Sequence, residues 1–223
     1  MLVSDIIANG KLLADVPGTD FFTDPEALSA VQAGWKEVYS LLSLGSDDFF
    51  TKQVYVDSST FTADANRKYT YYYNLPDDFM ILRLLQHRKG SENYQTVHKM
   101  TMEEVGNSQS SPGYRIVGKS ATGTGGQIMI YNPGQSTGFA VWYVPVADTL
   151  LTTTNLNYPN SFIPEILSYQ VAIEIRRKQN LDDSGKTERK KELIKSMMGQ
   201  ATRDENRAEV PKNIFSAGFY PYI

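Results

Sequence analysis

Residues 69–75 read YTYYYNL. Their odd positions place Tyr69, Tyr71, Tyr73 and Leu75 on one face of a β-strand, because successive side chains of a strand point to opposite sides. Similar segments follow at turn spacing and are separated by glycine-rich stretches: residues 114–117, 127–131 and 139–144. Several short strands at such spacing predict an antiparallel β-sandwich or barrel-like module rather than a parallel α/β sheet.

Helical periodicity begins upstream of these strands. Residues 23–26 read TDPE, which supplies a capping hydroxyl, a proline and an acidic side chain for a first helical turn. Apolar residues then recur at spacings of three and four from Leu28 to Leu42, and Gly45 provides a stop. Together with a shorter apolar pattern in residues 3–13, these features predict a pair of N-terminal helices.

Helical periodicity returns downstream of the strands. Phe162, Ile166 and Ile173 belong to one apolar stripe, and a last helix is predicted from Lys186 to Ala201. The apolar face of that last helix consists of Leu193, Ile194, Met197, Met198 and Ala201. Mixed charges are assigned to its solvated flank: Lys186, Glu188, Arg189, Lys190, Lys191, Glu192 and Lys195.

The order of these elements predicts an α+β protein. Because each helix has an apolar stripe that needs cover, the simplest arrangement packs all four helices into one antiparallel bundle, with the β module as an insertion. The predicted parts are residues 1–46 (N-terminal part of the helical bundle), 47–155 (inserted β module), 156–202 (C-terminal part of the bundle) and 203–223 (extended C-terminal tail).

Composition excludes several classes of protein. The chain has no cysteine, so neither a disulfide framework nor a thiolate site is possible. No stretch approaches the roughly 18 uninterrupted apolar residues of a membrane-spanning helix, and the N-terminus lacks the pattern of a secretory signal, so we expect the chain to remain where it is made. Residues 1–66 hold ten acidic and three basic residues, a balance of −7, which argues against a general nucleic-acid binder.

No catalytic site is predicted. His87 and His98 lie eleven residues apart and lack the spacing of a zinc protease. Glycoside hydrolysis needs two carboxylates that face each other, whereas adjacent acidic residues in strands and turns point apart and are explained as caps. These adjacent pairs are Asp47-Asp48, Asp77-Asp78, Glu103-Glu104 and Asp182-Asp183. We therefore expect a protein that is not an enzyme and that needs no cofactor and no metal.

The C-terminal residues form the most unusual segment of the sequence. Residues 203–223 contain Pro211, Gly218 and Pro221, which disfavour regular structure. They nevertheless retain large apolar side chains, which a solvated tail would normally lack because their exposure costs roughly 25 cal/mol per Å². These are Val210, Ile214, Phe215, Phe219, Tyr220, Tyr222 and Ile223. We expect this tail to be buried, either against its own domain or against a neighbouring subunit.

Several short motifs occur in a specific order. The β region contains LPDDF (75–79), GYRIVG (113–118), GQIMI (126–130) and YVP (143–145). The C-terminal region contains PN (159–160), the helix that follows it, a helix around residues 188–198, TRDENR (202–207) and PKNI (211–214). In order and spacing, this series resembles the head-to-tail connector adaptors of short-tailed tailed bacteriophages, which are also called head-completion or tail accessory proteins. The resemblance covers about residues 75–214.

The resemblance implies a structural role in a virion. Adaptors of this family form a ring of twelve subunits beneath the portal protein, support the tail nozzle or tail tube protein, and continue a channel through which genomic DNA passes without sequence recognition. The implied location is the head–tail junction of the virion, and the host cytoplasm during assembly. By the resemblance, the residues expected to contact the portal are Arg203, Arg207, Pro211, Ile214, Phe215, Phe219 and Tyr220.

Two other functions stay open at this point. Some phage tail components cut peptidoglycan, so a tail-associated peptidoglycan hydrolase is one alternative. The tyrosine-rich strands suggest a second, a glycan-binding or receptor-binding β module. The alternatives differ in assembly, because an adaptor is expected to be a monomer alone and a large ring on its portal, whereas a receptor-binding module is expected to form a trimer.

Overall fold

The structure is a computed structural model that describes residues 1–16, 21–45, 50–101, 112–119, 126–134, 136–156 and 162–212, with the backbone alone described from 201 onward. The chain divides into two compact units. The helical unit contains residues 1–48 and 147–223, and the β unit contains residues 49–146. Four helices and two sheets confirm the predicted α+β class. No helix in the described residues is long and apolar enough to cross a membrane.

The helical unit contains α1 (Val3–Leu13), α2 (Asp24–Gly45), α3 (Phe162–Lys178) and α4 (Ser184–Lys212). Helix α3 packs against each of the other three helices, and its apolar residues are buried. The α1–α3 contact is close because Gly10 lies against Val171. The largest fully buried side chains of this unit are Ile6, Trp35, Leu42, Ile163, Ile166, Leu167, Ile175 and Met197.

The boundary between the units differs from the predicted one. Residues 147–155, which the sequence assigned to the β module, belong to the helical unit. The Val3 amide donates to the Thr154 carbonyl at 3.0 Å, and the Gln32 side chain accepts from the Leu150 amide at 2.6 Å. These hydrogen bonds hold the segment against α1 and α2 without helical or strand periodicity, so no sequence pattern marked it.

The predicted extended tail is wrong for residues 203–212, because α4 continues to Lys212. Residues 202–210 contain no glycine or proline, and five of these nine residues are arginine, glutamate or alanine, which favour helix. Proline at position 211 removes a hydrogen-bond donor only in the last turn. Residues 213–223 lie outside the described part of the chain.

The described residues of the β unit form nine strands in two sheets. The strands are β1 (Lys52–Asp57), β2 (Thr62–Ala63), β3 (Thr70–Asn74), β4 (Phe79–Lys89), β5 (Gln95–Thr96), β6 (His98–Lys99), β7 (Gly113–Lys119), β8 (Gly126–Tyr131) and β9 (Ser136–Pro145). The four-stranded sheet has the order β1-β9-β4-β5, and the five-stranded sheet has the order β2-β3-β8-β7-β6. Among the described strands, every pairing is antiparallel except β6–β7, a parallel pair that the sequence did not predict.

One hydrophobic cluster joins the two sheets into a sandwich. Phe139, Val141 and Tyr143 of β9 face Ile128 and Ile130 of β8 in this cluster, and all five are at most 3% exposed. Further members are Val56, Leu75, Leu85 and Val97, with Tyr73 packed against them.

The stretch YTYYYNL follows its predicted alternation only in part. Tyr73 packs against the hydrophobic cluster and Leu75 is buried in it, as the two-residue period predicts. Tyr69 does not share their face, because it precedes β3, has a φ of 63° and is 54% exposed. A positive φ is uncommon for a residue with a side chain and marks a turn, which periodicity does not reveal.

Candidate functional site

The distal part of α4 is the feature that matches the predicted binding segment. Helix α4 runs antiparallel to α3, since Arg177 pairs with Asp183 near the turn and Lys190 contacts Gln170 farther away. It runs parallel to α2, and the Met198 side chain occupies the space beside Gly45, the last residue of α2. Helix α4 therefore continues for 14 residues beyond this level, from position 199 to position 212. At 1.5 Å per residue that is about 21 Å.

The proximal part of α4 is anchored by an apolar seam. Leu193 is 3% exposed and Met197 is fully buried, while Ile194 and Met198 are partly buried. These four residues confirm the predicted apolar face over the part of the helix whose side chains are described. These contacts fix α4 up to position 198, and its backbone continues as helix to Lys212.

Lys190 anchors the same part of α4 by polar contacts. Its ammonium donates to Glu37 Oε2 of α2 at 2.5 Å and to Gln170 Oε1 of α3 at 2.7 Å. The Gln170 amide in turn donates to Glu174 at 3.0 Å. Lys190 is only 8% exposed, so this ammonium depends on its two acceptors, because removing a charge from water without partners is costly.

This three-helix contact favours one rotation and one axial position of α4, because the buried ammonium keeps both acceptors only near that position. The sequence analysis had placed Lys190 on the solvated flank, and that assignment is wrong. Its neighbours Lys191 and Glu192 are exposed as expected. A lysine among six other charged residues carries no local signal of burial, since only the acceptors supplied by α2 and α3 distinguish it.

Three of the predicted portal-contact residues lie on the distal part of α4. Positions 203, 207 and 211 are each four residues apart, so Arg203, Arg207 and Pro211 share one face of the helix backbone. Ile214, Phe215, Phe219 and Tyr220 lie outside the described residues. The structure therefore brings the first three onto one surface by helical register.

The buried histidine is part of a structural hydrogen-bond chain. His87 is 4% exposed, and its Nδ1 lies 2.9 Å from Ser136 Oγ. The Ser136 hydroxyl donates to the Pro133 carbonyl. The Ser136 oxygen therefore accepts a hydrogen bond from the Nδ1–H group, which means that this nitrogen cannot act as a base toward the serine. Burial, with a contribution from Lys89, lowers the pKa of His87.

Three of the described carboxylates serve local turns and helix starts. Asp57, Asp64 and Asp182 each accept a hydrogen bond from the backbone amide two residues later, at 2.8, 2.8 and 3.0 Å. These backbone donors are the largest cause of the lowered pKa of each carboxyl. The pairs Asp47-Asp48 and Glu103-Glu104 lie outside the described residues. Within the described part of the chain, no group of three or more potential metal ligands comes together.

The LPDDF motif links two strands of the β unit. Asp78 accepts from the Tyr143 hydroxyl of β9 at 2.9 Å and from the Lys52 ammonium of β1 at 3.0 Å. Burial and the hydrogen bond to Asp78 raise the pKa of Tyr143 to about 12. Burial alone would raise the pKa of Asp78, but the hydrogen bonds from Lys52 and Tyr143 outweigh it and lower that pKa. In this chain the second aspartate of the motif is therefore a structural residue.

Comparison with known proteins identifies no relative. No protein-family model matches the sequence, and no match is found among curated proteins. The functional argument therefore rests on the residues and geometry of the chain itself.

Proposed function

We propose that this chain is a structural virion protein, an adaptor that forms a ring of twelve between the portal vertex and the tail nozzle. Its place is the head–tail junction, and it is present in the host cytoplasm during assembly. The observation that carries the proposal is the length of α4, which continues for 14 residues, 199–212, past the end of α2. The motif order supports it, because TRDENR and the start of PKNI lie on this extension.

A projecting helix of this length favours a binding partner. The continuation of a packed helix has no nucleation cost of its own, but most helical stability in proteins comes from tertiary packing of an amphipathic face. Beyond position 198, α2 and α3 do not flank α4 in the described part of the chain. In this proposal a surface on another subunit packs against the extension, and the portal is the subunit that the resemblance indicates.

We call residues 199–212 of α4 the arm, and the contacts of Lys190 suit its proposed role. An arm that must meet a portal subunit in a symmetric assembly has to leave its own subunit in one direction, because each of the twelve contacts is the same. The ammonium of Lys190 fixes that direction through Glu37 and Gln170. In this proposal the anchored part of α4 positions the arm, and residues 199–223 bind the portal.

Weak lateral contacts are sufficient for the ring. Once the portal binds several copies side by side, each lateral contact becomes intramolecular, so the effective concentration of the neighbouring subunit is high. We therefore expect a monomer in isolation and a twelve-fold ring on the portal. The net charge of −3 fits a channel through which DNA slides without being bound.

The experiment that tests the proposal compares two double substitutions in α4. Arg203→Ala with Arg207→Ala removes two positive charges from the arm, and Lys191→Ala with Lys195→Ala removes two from the exposed side of the anchored part. Each variant is mixed with portal from the same source and examined by native mass measurement and negative-stain electron microscopy. We expect the arm variant to lose ring formation on the portal and the control variant to retain it.

A truncation after Gln200 provides the second part of the test. The truncated protein keeps Leu193, Met197 and Lys190, so its helical circular dichroism and solubility should persist while portal binding is lost. Rings that form as well with the truncated protein as with the full chain would contradict the proposal. So would a full-length chain that stays monomeric or trimeric at every portal concentration.

A non-enzymatic role is part of the proposal. The described acidic pairs support it, since Asp182 caps α4 and Asp183 pairs with Arg177 at 2.7 Å. Zymography on peptidoglycan at neutral and mildly acidic pH separates the adaptor from the hydrolase alternative. A clearing band from purified protein would favour the hydrolase.

A further inference from the structure

The outer face of the four-stranded sheet carries an unusual set of side chains. On β1, β9 and β4, the residues that alternate with the core residues are Tyr55, Ala140 and Gln86, which lie side by side in the register. One step along, Gly138 of β9 pairs with Arg88 of β4. The central strand therefore contributes only small residues at these two levels, and both of them are buried.

Two aromatic rings and a cation lie on this face of the sheet. The Tyr55 ring is 5.7 Å from the Tyr94 ring, centroid to centroid, at a tilt of 46°. The Arg88 guanidinium lies 5.4 Å from the centroid of Tyr94. Tyr55 is 65% exposed, although a large aromatic ring on a sheet is normally covered. We call Tyr55, Tyr94, Trp142, Gln86 and Arg88 the aromatic face.

Unused hydrogen-bond donors lie next to these rings. The Trp142 indole donates to Gln86 Oε1 at 3.1 Å, which orients the amide and leaves its nitrogen available. In the part of the chain that the structure describes, neither this nitrogen nor the Arg88 guanidinium has a hydrogen-bond or ion-pair partner. Exposed rings beside a few oriented polar groups are the composition typical of small-molecule sites.

We infer that the aromatic face binds a neutral oligosaccharide, with one pyranose ring stacked on Tyr55. A pyranose presents axial C–H groups on one side and hydroxyls around its edge. The C–H groups suit the electron-rich face of an aromatic ring, and the hydroxyl oxygens suit the free donors of Gln86 and Arg88.

The charges around the face favour a neutral ligand. Arg88 and Lys89 are balanced by Asp57, which stands opposite Gly138 on β1, and by Glu92 in the following turn. Single-stranded nucleic acid also stacks on aromatic rings, but it requires an excess of positive charge along its path. The proposed oligosaccharide site involves no residue of α4, so the result of its test does not depend on portal binding.

Tryptophan fluorescence reports on this face. The chain has two tryptophans; Trp35 is fully buried in the helical unit, and Trp142 belongs to the aromatic face. The full-length protein is titrated with maltohexaose, cellopentaose and chitotetraose, each up to its solubility limit. We expect a saturable fluorescence change with at least one of the three, assigned to Trp142.

Substitutions at two exposed tyrosines locate the binding. Tyr55→Ala removes the stacking ring and should weaken binding about tenfold or more, whereas Tyr55→Phe keeps the ring and should bind nearly as well as the natural protein. Tyr69→Ala is the matched control, because Tyr69 is 54% exposed, has Lys68 over its ring at 5.0 Å and belongs to the same unit. It should leave binding unchanged.

Three results would overturn the inference. The first is the absence of binding to all three sugars. The second is equal binding by the natural protein and Tyr55→Ala, or equal losses in Tyr55→Ala and Tyr69→Ala. The third is salt-sensitive binding of an oligothymidylate at Tyr55 without binding of any sugar, which would assign the face to single-stranded nucleic acid.

Discussion

The close contact between α1 and α3 makes Gly10→Ala a sharp test of the helical unit. A Cβ at position 10 would lie 2.5 Å from Val171 Cβ, 2.7 Å from Val171 Cγ1 and 2.9 Å from the Ser168 carbonyl oxygen. Ordinary contacts between such atoms begin near 3.5 Å. Val171 is fully buried and β-branched, so its side chain has no other rotamer to adopt, and the carbonyl belongs to the backbone of α3. The two helices must therefore separate.

The expected loss of stability follows from two opposing effects. Overpacking of a well-packed core costs about 1–3 kcal/mol, and the upper end applies because three atoms clash and none can move alone. Replacement of glycine by alanine inside a helix raises the free energy of unfolding by about 1 kcal/mol, because alanine has the higher helix propensity. The free energy of unfolding should therefore fall by about 2 kcal/mol. In a protein of this size that lowers the melting temperature by roughly 4–8 °C.

Gly199→Ala is the matched control. Gly199 lies in α4, and nothing comes within 4 Å of a Cβ at that position. The same substitution should therefore raise the free energy of unfolding by about 1 kcal/mol. Urea unfolding followed by circular dichroism at 222 nm and by the fluorescence of buried Trp35 measures both variants. A Gly10→Ala protein as stable as the natural one, or more stable, would refute the close packing of α1 on α3.

Three further outcomes are expected. Lys190→Met should lower the free energy of unfolding by about 1–2 kcal/mol, because Gln170 loses a charged donor while the methionine keeps the apolar stem, and urea unfolding measures it. The pKa of Glu26 is lowered to about 2, chiefly by the hydrogen bond from Lys178. The ionised Glu26 carboxylate should therefore stabilise the fold fully above pH 4.5, and this stabilisation should be lost as the pH falls toward 2. A carbon-detected NMR titration in which this carboxyl titrates near its ordinary pKa would contradict the contact. The Tyr143 phenol should titrate near pH 12 in an ultraviolet titration, and Asp78→Asn should bring its pKa down toward the ordinary value.

The helices and several strands could be predicted because their signals are local. The spacing from Leu28 to Leu42 and the cap at Thr23 lie within one element, and α2 forms there, with Glu26 accepting from the Thr23 amide at 2.8 Å. Alternation likewise placed Tyr73 and Leu75 correctly. Tyr69 and the parallel β6–β7 pair were not predicted, because a turn with positive φ and a pairing between distant segments leave no periodic pattern.

The candidate sites were predictable to different degrees. The sequence pointed to the C-terminal segment through its apolar residues, but it did not indicate that α4 continues to Lys212 or that Lys190 holds it. The tyrosine-rich strands suggested a glycan-binding or receptor-binding module, but the sequence did not indicate which residues form the aromatic face. Its tyrosines, Tyr55 and Tyr94, are 39 positions apart in the sequence, and only the β1-β9-β4 order brings them together.

The sequence by itself determined the types of the elements, their order, and the insertion of a β region between two helical ones. Periodicity, caps and turn residues act over one or two turns of chain, so they can be read without knowing any partner. Only the tertiary structure decided which charged side chain is buried, where α4 leaves its supporting helices, and which aromatic residues share a face. These properties depend on groups supplied by distant segments: Glu37 and Gln170 around Lys190, and β9 between β1 and β4.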